Sequence, residues 1–337
     1  MHATIFLKPY CEIKIQYLGE QMIIPHRKPC IESEIRSSGN LEELRNILND
    51  LLFSEKEIHI LPSGNSAIHI TSEIISKLNP NSKTLIPDMG GWKGFETYSK
   101  LSGLNVETLE TDLGVVNTET LEEKIKESGA KSLFLTSLAG YLAEQPLKEI
   151  AKICSENEVL FIEDVSGKIG GDCGYGDMVV CSTGSPKIIN CEYGGFLGIS
   201  KEIIEVLKDK NLKEDIKSLL KTYKMPDIYG KLIEESLLSK KSYNSCVNFS
   251  NIFKENMENA YFKDSNGVSV FLEYENPKEI AKKIDKSVKL DNGKSIITIC
   301  PLYERILRKG IVLEIKKMDI HKISENEMYE ILNFFKK

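Results

Sequence analysis

The sequence has few of the residues that build metal centres: five histidines and one tryptophan in 337 residues, and no C-x-x-C pair among eight cysteines. His2, His26, His59, His69 and His321 form no H-x-x-x-H pair and no cluster with the cysteines, so no metal is expected. Cys11, Cys30, Cys154, Cys173, Cys181, Cys191, Cys246 and Cys300 are spread along the chain and read as small buried apolar residues of a reducing compartment. No apolar run approaches the roughly 20 residues that span a bilayer. The opening residues also lack the basic segment, long apolar core and small-residue cleavage site of a signal peptide. A cytoplasmic protein without a membrane partner is therefore expected. Neither sign of charge dominates, since 44 lysines and arginines meet 50 acidic residues for a net charge of -6. That balance offers no footprint for nucleic acid, and no such partner is expected.

What is present is an ordinary globular composition, 41% hydrophobic and 28% charged, arranged in alternation. From about residue 57, short apolar runs (EIHIL, KTLIP, KSLFLTS, VLFIED) alternate with amphipathic stretches such as SAIHITSEIISKL and LKEIAKICSEN. Thr118 marks one helix start and Gly129 its stop. Strands separated by helices predict a parallel sheet with right-handed crossovers, closed by DMVVCS and GGFLGIS. After residue 200 come lysine-rich helices, two of them separated by Pro226, and then an α+β end whose last helix starts at Ser324. The expected organisation is an N-terminal arm (1–45), a large domain (46–260) and a small C-terminal domain (261–337).

Ligands of an open parallel sheet bind beyond the carboxyl ends of its strands, and four segments there carry chemistry. LPSGNSAIH places Gly64, Asn65 and Ser66 at a helix start, where free N–H groups and a hydroxyl suit an anion, although strand-Ser-Gly-helix is also a common turn. Asp164 ends the apolar run VLFIED and either caps the next turn or faces a ligand cation. Trp92, in the glycine-rich stretch IPDMGGWKGF, is either core or a stacking platform. In CSTGSPKIINCEYGGFLGIS, Ser182 ends a strand and Lys187 stands alone among small residues, with no further lysine before Lys201. A lysine enclosed in a pocket loses pKa through desolvation, and its free amine can attack a carbonyl; an exposed loop lysine would do neither.

Taken in order, SGNSAI, IEDVSGKIG and STGSPKIINCEYGG resemble Ser-Gly-Thr-x-Ala-Leu, Ile-Glu-Asp-x-Ala-x-x-x-Gly and Ser-x-x-Pro-x-Lys followed by Gly-Gly. Those three are motifs of the DegT/DnrJ/StrS sugar aminotransferases, a branch of the fold-type I pyridoxal-phosphate enzymes. IIPHRKPCIESE is similar to the family's N-terminal arm, and the C-terminal third follows the family only in outline.

The resemblance implies the aspartate aminotransferase-like fold of PLP-dependent transferases: α/β, with a mostly parallel sheet and a smaller C-terminal α+β domain. It implies pyridoxal 5′-phosphate as cofactor, in internal aldimine with Lys187, which would also be the catalytic acid and base. Asp164 would pair with the pyridinium nitrogen. Gly64, Asn65, Ser66 and Ser182 would hold the phosphate, and Trp92 would stack on the ring. Arg305 and Arg308 are candidate carboxylate clamps. A homodimer with the active site at its interface is also implied.

Three departures stand out: Gly167 replaces a glutamine, SLAG replaces His-Leu-Tyr-Gly, and Asn65 replaces a threonine. The leading expectation is an aminotransferase moving an amino group from an amino-acid donor to a keto acceptor, which could be a keto sugar. The alternatives are a PLP-dependent lyase or sulfur/selenium-transfer enzyme acting on a free or carrier-bound amino acid, and a non-catalytic binding or regulatory protein of the same fold.

Overall fold

The computed structural model describes residues 15–18, 21–29, 40–223 and 228–336. Cys11, Cys30, Pro226 and most of the expected N-terminal arm lie outside the described residues. Two short strands come first, β1 (Gln16–Leu18) and β2 (Gln21–Ile24), followed by α1 (Leu41–Asp50), capped by the Asn40 side chain. The alternating region then supplies β3 (Lys56–Leu61), α2 (Gly64–Leu78), β4 (Lys83–Pro87), α3 (Lys93–Leu101) and β5 (Asn105–Leu109). Helix α4 (Thr118–Ser128) starts from Asn117, one residue before the expected Thr118, because the asparagine side chain accepts the Glu119 N–H; it stops at Gly129, in the left-handed region at φ 64°. Next are β6 (Ser132–Thr136), the small hairpin β7 (Leu138–Ala139) and β8 (Ala143–Glu144), α5 (Leu147–Glu156), β9 (Leu160–Asp164), β10 (Met178–Ser182) and β11 (Gly195–Ser200).

The central sheet has the order β3-β11-β10-β9-β6-β4-β5. All its neighbours are parallel except those of β11, which runs antiparallel to both β3 and β10. The crossover rule does not reach β11: no helix lies between β10 and β11, and a loop that stays at one end of the sheet returns the chain antiparallel. That loop carries Lys187.

Both faces of the sheet are buried, and alternate residues of each strand serve opposite layers. Phe134, Ile162 and Val180 pack under α2, α3 and their neighbours, whereas Leu133, Leu135 and Phe161 pack against α4 and α5. Val179, Cys181 and Phe196 join a third cluster with Leu44 and Leu48 of α1. Each such side chain contributes about 1.5–3 kcal/mol by leaving water. The six described cysteines are all buried free thiols.

An acidic side chain is embedded in this core. Glu163 of β9 is fully buried, and its carboxylate accepts hydrogen bonds from Ser137 Oγ and from the N–H groups of Gly174, Tyr175 and Gly176. Burial pushes its pKa up and these donors oppose that rise. The bonds tie the loop before β10 to the strand that ends in Asp164.

Helices α6 (Lys201–Asp209), α7 (Lys213–Thr222) and the 28-residue α8 (Tyr229–Asn256) lead to the last third of the chain. It comprises β12 (Val270–Glu273), α9 (Pro277–Ser287), β13 (Val288–Leu290), β14 (Ile297–Leu302), β15 (Ile306–Leu313) and α10 (Glu325–Lys336). Strands β12, β15 and β14 make an antiparallel sheet, and β13 pairs in parallel with β2, so the start of the described chain is built into its end. The tip between β14 and β15 reaches back to the central sheet. There the Gly90 N–H donates to Tyr303 O at 2.7 Å, and Tyr303 OH donates to Pro87 O at 3.0 Å.

Among the described residues, no helix is long and apolar enough to cross a membrane.

Candidate active site

The carboxyl ends of β3, β4, β6, β9 and β10 converge on one cleft of about 170 Å³. Its lining includes Gly64, Asn65, Trp92, Asp164, Ser182 and Lys187, six of the seven residues singled out in the sequence. The seventh, Ser66, does not line it. Helix α2 begins at Gly64, two residues before the amphipathic run SAIHITSEIISKL, with Ser63 as N-cap: Ser63 Oγ accepts the Ser66 N–H at 3.0 Å and lies 2.9 Å from Ser66 Oγ. The helix-start N–H groups left for a ligand are those of Gly64 and Asn65, at the positive end of the helix dipole.

Glycine is required on both sides of this helix start. A Cβ on Gly64 would come within 2.8 Å of Ser182 Cβ, and one on Gly195 within 2.5 Å of Cys181 O and 2.7 Å of Gly64 N. Helix α2 can therefore settle onto β10 and β11 so closely that Ser182 and the first turn of the helix share one concavity.

Asp164 caps the next turn, one of the two roles left open by the sequence, and it also lines the cleft. Its Oδ1 accepts the N–H of Ser166 at 3.0 Å and the Ser166 hydroxyl at 2.5 Å, capping the turn, while Oδ2 has no hydrogen-bond partner among the described residues. Burial pushes its pKa up, opposed by the Lys187 charge and by the Ser166 bonds. Ser166 Oγ also accepts the Ser182 N–H at 2.7 Å, linking the ends of β9 and β10. Ser166 stands where the motif quoted above has alanine, so this link is an addition of the present chain.

Lys187 is enclosed, but its pKa departs from expectation. Burial pushes it down, yet the Tyr141 hydroxyl and the Asp164 carboxylate outweigh that, and the ammonium ends above the ordinary lysine value. Tyr141 is a cleft residue that the sequence did not reveal. Its hydroxyl is hydrogen-bonded to Lys187 Nζ, and its backbone is in the left-handed region at φ 69°, uncommon for a tyrosine. Gly167, noted as the loss of a glutamine, is what makes room for it: a Cβ there would lie 2.7 Å from the ring of Tyr141. Lys316 Nζ, 4.0 Å from the ring centroid, and the Arg305 guanidinium, 4.8 Å away, also flank that ring. The β7–β8 hairpin in place of His-Leu-Tyr-Gly thus puts a phenol beside the lysine.

Asn65, standing where the motif has threonine, orients the tryptophan: its Oδ1 accepts the Trp92 indole N–H at 2.8 Å. Trp92 is 40% exposed and packs over Gly94 at the mouth of the cleft. The two arginines are differently placed from their expected role. Arg305 Nε donates to Glu314 at 2.8 Å, Arg308 lies 3.5 Å from Glu273, and neither lines the cleft. The C-terminal tip sends in Glu304 instead.

The architecture is that of the aspartate aminotransferase-like fold of PLP-dependent transferases. The chain resembles an alanine–glyoxylate aminotransferase from Nostoc sp. over 98% of its own length and 96% of that chain, with a TM-score of 0.70 and 14% identity. It also resembles a DegT DnrJ EryC1 StrS aminotransferase from Brucella abortus (88% and 89% covered, TM-score 0.65, 16% identity) and a cysteine desulfurase from Thermococcus onnurineus NA1 (87% and 82%, 0.64, 13%). At such identities the likeness is one of fold. Within that fold, residues 240–336 match the family described as the MJ1341 family C-terminal domain. No curated protein matches the chain.

Proposed function

We propose that this chain is a pyridoxal-phosphate-dependent aminotransferase that moves an amino group from an amino-acid donor to a keto acceptor, with a keto sugar as one acceptor the motifs suggest. The observation that carries this is the meeting of Lys187 and Asp164 in one cleft with a glycine-based helix start. The donor set fits the cofactor. The Gly64 and Asn65 N–H groups and Ser182 Oγ suit a phosphate, Asp164 Oδ2 suits a ring N–H, and Trp92 offers an apolar face at the mouth. When bound, the cofactor supplies a carbonyl for amines and a ring that accepts electrons.

The protein's own part is proton handling and placement. Lys187 Nζ is the base and acid at the reacting carbon, and Tyr141 OH holds the proton at that nitrogen between steps. Ser166 fixes Asp164 Oδ1 and keeps the carboxylate oriented. Sulfur transfer through Cys191 gains no support: its thiol is buried, and burial pushes its pKa far up, away from the thiolate that such chemistry uses. A homodimer belongs to the same proposal, supported by the half-exposed aromatic side chain of Trp92 at the mouth of the cleft.

Absorbance spectroscopy tests the proposal. Adding pyridoxal phosphate should produce a visible band that an amino donor shifts and that borohydride bleaches, leaving the pyridoxyl group covalently attached to Lys187. Lys187→Ala should abolish the band, whereas Lys201→Ala, whose amine pairs with Glu55 on the surface, should retain it. A chain that never develops the band is not this enzyme.

A further inference from the structure

Glu304 is a carboxylate in the candidate cleft that the proposed chemistry does not use. It sits at the tip between β14 and β15, and this tip is held over the cleft by the bonds of Tyr303 to Gly90 and Pro87. Its side chain is 14% exposed; Oε1 lies 3.2 Å from Lys93 Nζ at the rim, and Oε2 is buried without a hydrogen-bond partner. A buried carboxylate oxygen in that state is costly unless a donor reaches it. Apart from Lys187, the cations around the cleft are already paired with carboxylates: Lys93 with Glu304 Oε1 itself, and Lys316, which flanks Tyr141, with Glu314. Lys187 is the only cation among the lining residues, and Arg305, the next residue along, is committed to Glu314.

We propose that Glu304 is a specificity residue that receives a positively charged group at the far end of the substrate, an ammonium or guanidinium, so that the substrates are diamino or basic amino compounds and not dicarboxylic ones. This rests on the proposed function for the role of substrate, and on Glu304 for its charge. A second carboxylate on the ligand would face Glu304 with like charge. A cation of suitable length would complete the Oε2 oxygen with a charge-assisted hydrogen bond while its reacting amine lies toward Lys187.

The test is calorimetric titration of the full chain, before and after loading with pyridoxal phosphate. The ligands form two pairs that differ only in the terminal charge: L-ornithine against L-norvaline, and 1,5-diaminopentane against 1-aminopentane. L-5-Hydroxynorvaline and L-glutamate complete the set. The charged member of each pair should bind about ten- to hundredfold more tightly, the range of one charge-assisted hydrogen bond. Glu304→Gln should bring both ratios close to one. Lys93→Met, a change at an exposed residue that frees Glu304 of its rim partner, should increase them.

Equal binding within both pairs would overturn the inference. So would hydroxynorvaline or glutamate matching ornithine, or a preference that survives Glu304→Gln. A chain that shows no visible band with the cofactor yet keeps the charged preference would sink the proposed function and leave the cation site standing.

Discussion

At the scale of single residues, the chemistry of the cleft depends on contacts made across long sequence separations. Lys187 and Asp164 stood out in the sequence because a lone lysine among small residues and an acid ending an apolar strand are both locally odd. Tyr141, Ser166 and Glu304 carry no such local mark. Tyr141 follows a glycine in a two-strand hairpin, and its meaning comes only from a lysine 46 residues away. The tyrosine also changes the sign of an expectation. Desolvation alone would leave Lys187 with a lowered pKa, but Tyr141 and Asp164 raise it past the ordinary value. Removing one of the two should reverse part of this. In Tyr141→Phe the Lys187 ammonium should lose its proton at lower pH than in the wild type. The check is the pH dependence of Lys187 acylation in unloaded protein, read by mass spectrometry, together with the pH midpoint of the visible band. An unmoved acylation midpoint would leave Tyr141 with a packing role only.

At the scale of elements, apolar runs located the central strands to within about a residue, because strands buried on both faces have few polar positions to blur them. The direction of β11 was not readable in this way, since a run of apolar residues looks the same in either direction. Its own residues GGFLGIS, with the CSTGSP stretch before them, did contain the reason for its placement. Gly195 lies opposite both Ser182 and Leu61 in the sheet, and helix α2 starts directly over it. A methyl group there would press on Cys181 O and Gly64 N, both backbone atoms that cannot rotate away. Gly195→Ala should therefore cost about 1–3 kcal/mol in stability. It should also weaken pyridoxal phosphate binding, because the helix start is displaced from Ser182. Chemical denaturation and cofactor titration of the same protein measure the two effects. Gly184→Ala is the stability control, since its methyl would meet only ordinary van der Waals contacts, Ser182 Oγ at 3.5 Å and Glu192 O at 3.8 Å. Equal stability of the two variants would show that α2 does not need its present closeness to β11.

At the scale of the whole molecule, the ends of the described chain are joined where the last third meets α8. The Arg27 N–H donates to Lys317 O, the Asp319 N–H donates to Pro25 O, and His321 Nε2 lies 2.9 Å from Ser242 Oγ of α8. No sequence pattern announces this junction, because its bonds join backbone groups some 290 residues apart. The histidine provides a handle on it. Burial pushes the His321 pKa down to about 4, helped by the Arg27 charge and opposed by Asp319. In the unfolded chain the same imidazole takes up a proton near its ordinary 6.5. Between those values the unfolded state binds the proton and the folded state does not, so stability falls as pH drops from 6.5 toward 4. By pH 4.5 this single group should have removed about 2 kcal/mol. Urea unfolding of the wild type and of His321→Gln at pH 7 and pH 4.5 isolates that contribution. The variant pays a fixed cost at both pH values but should lose less on acidification, by about that amount. Equal losses in the two proteins would place the imidazole in contact with water and the junction open.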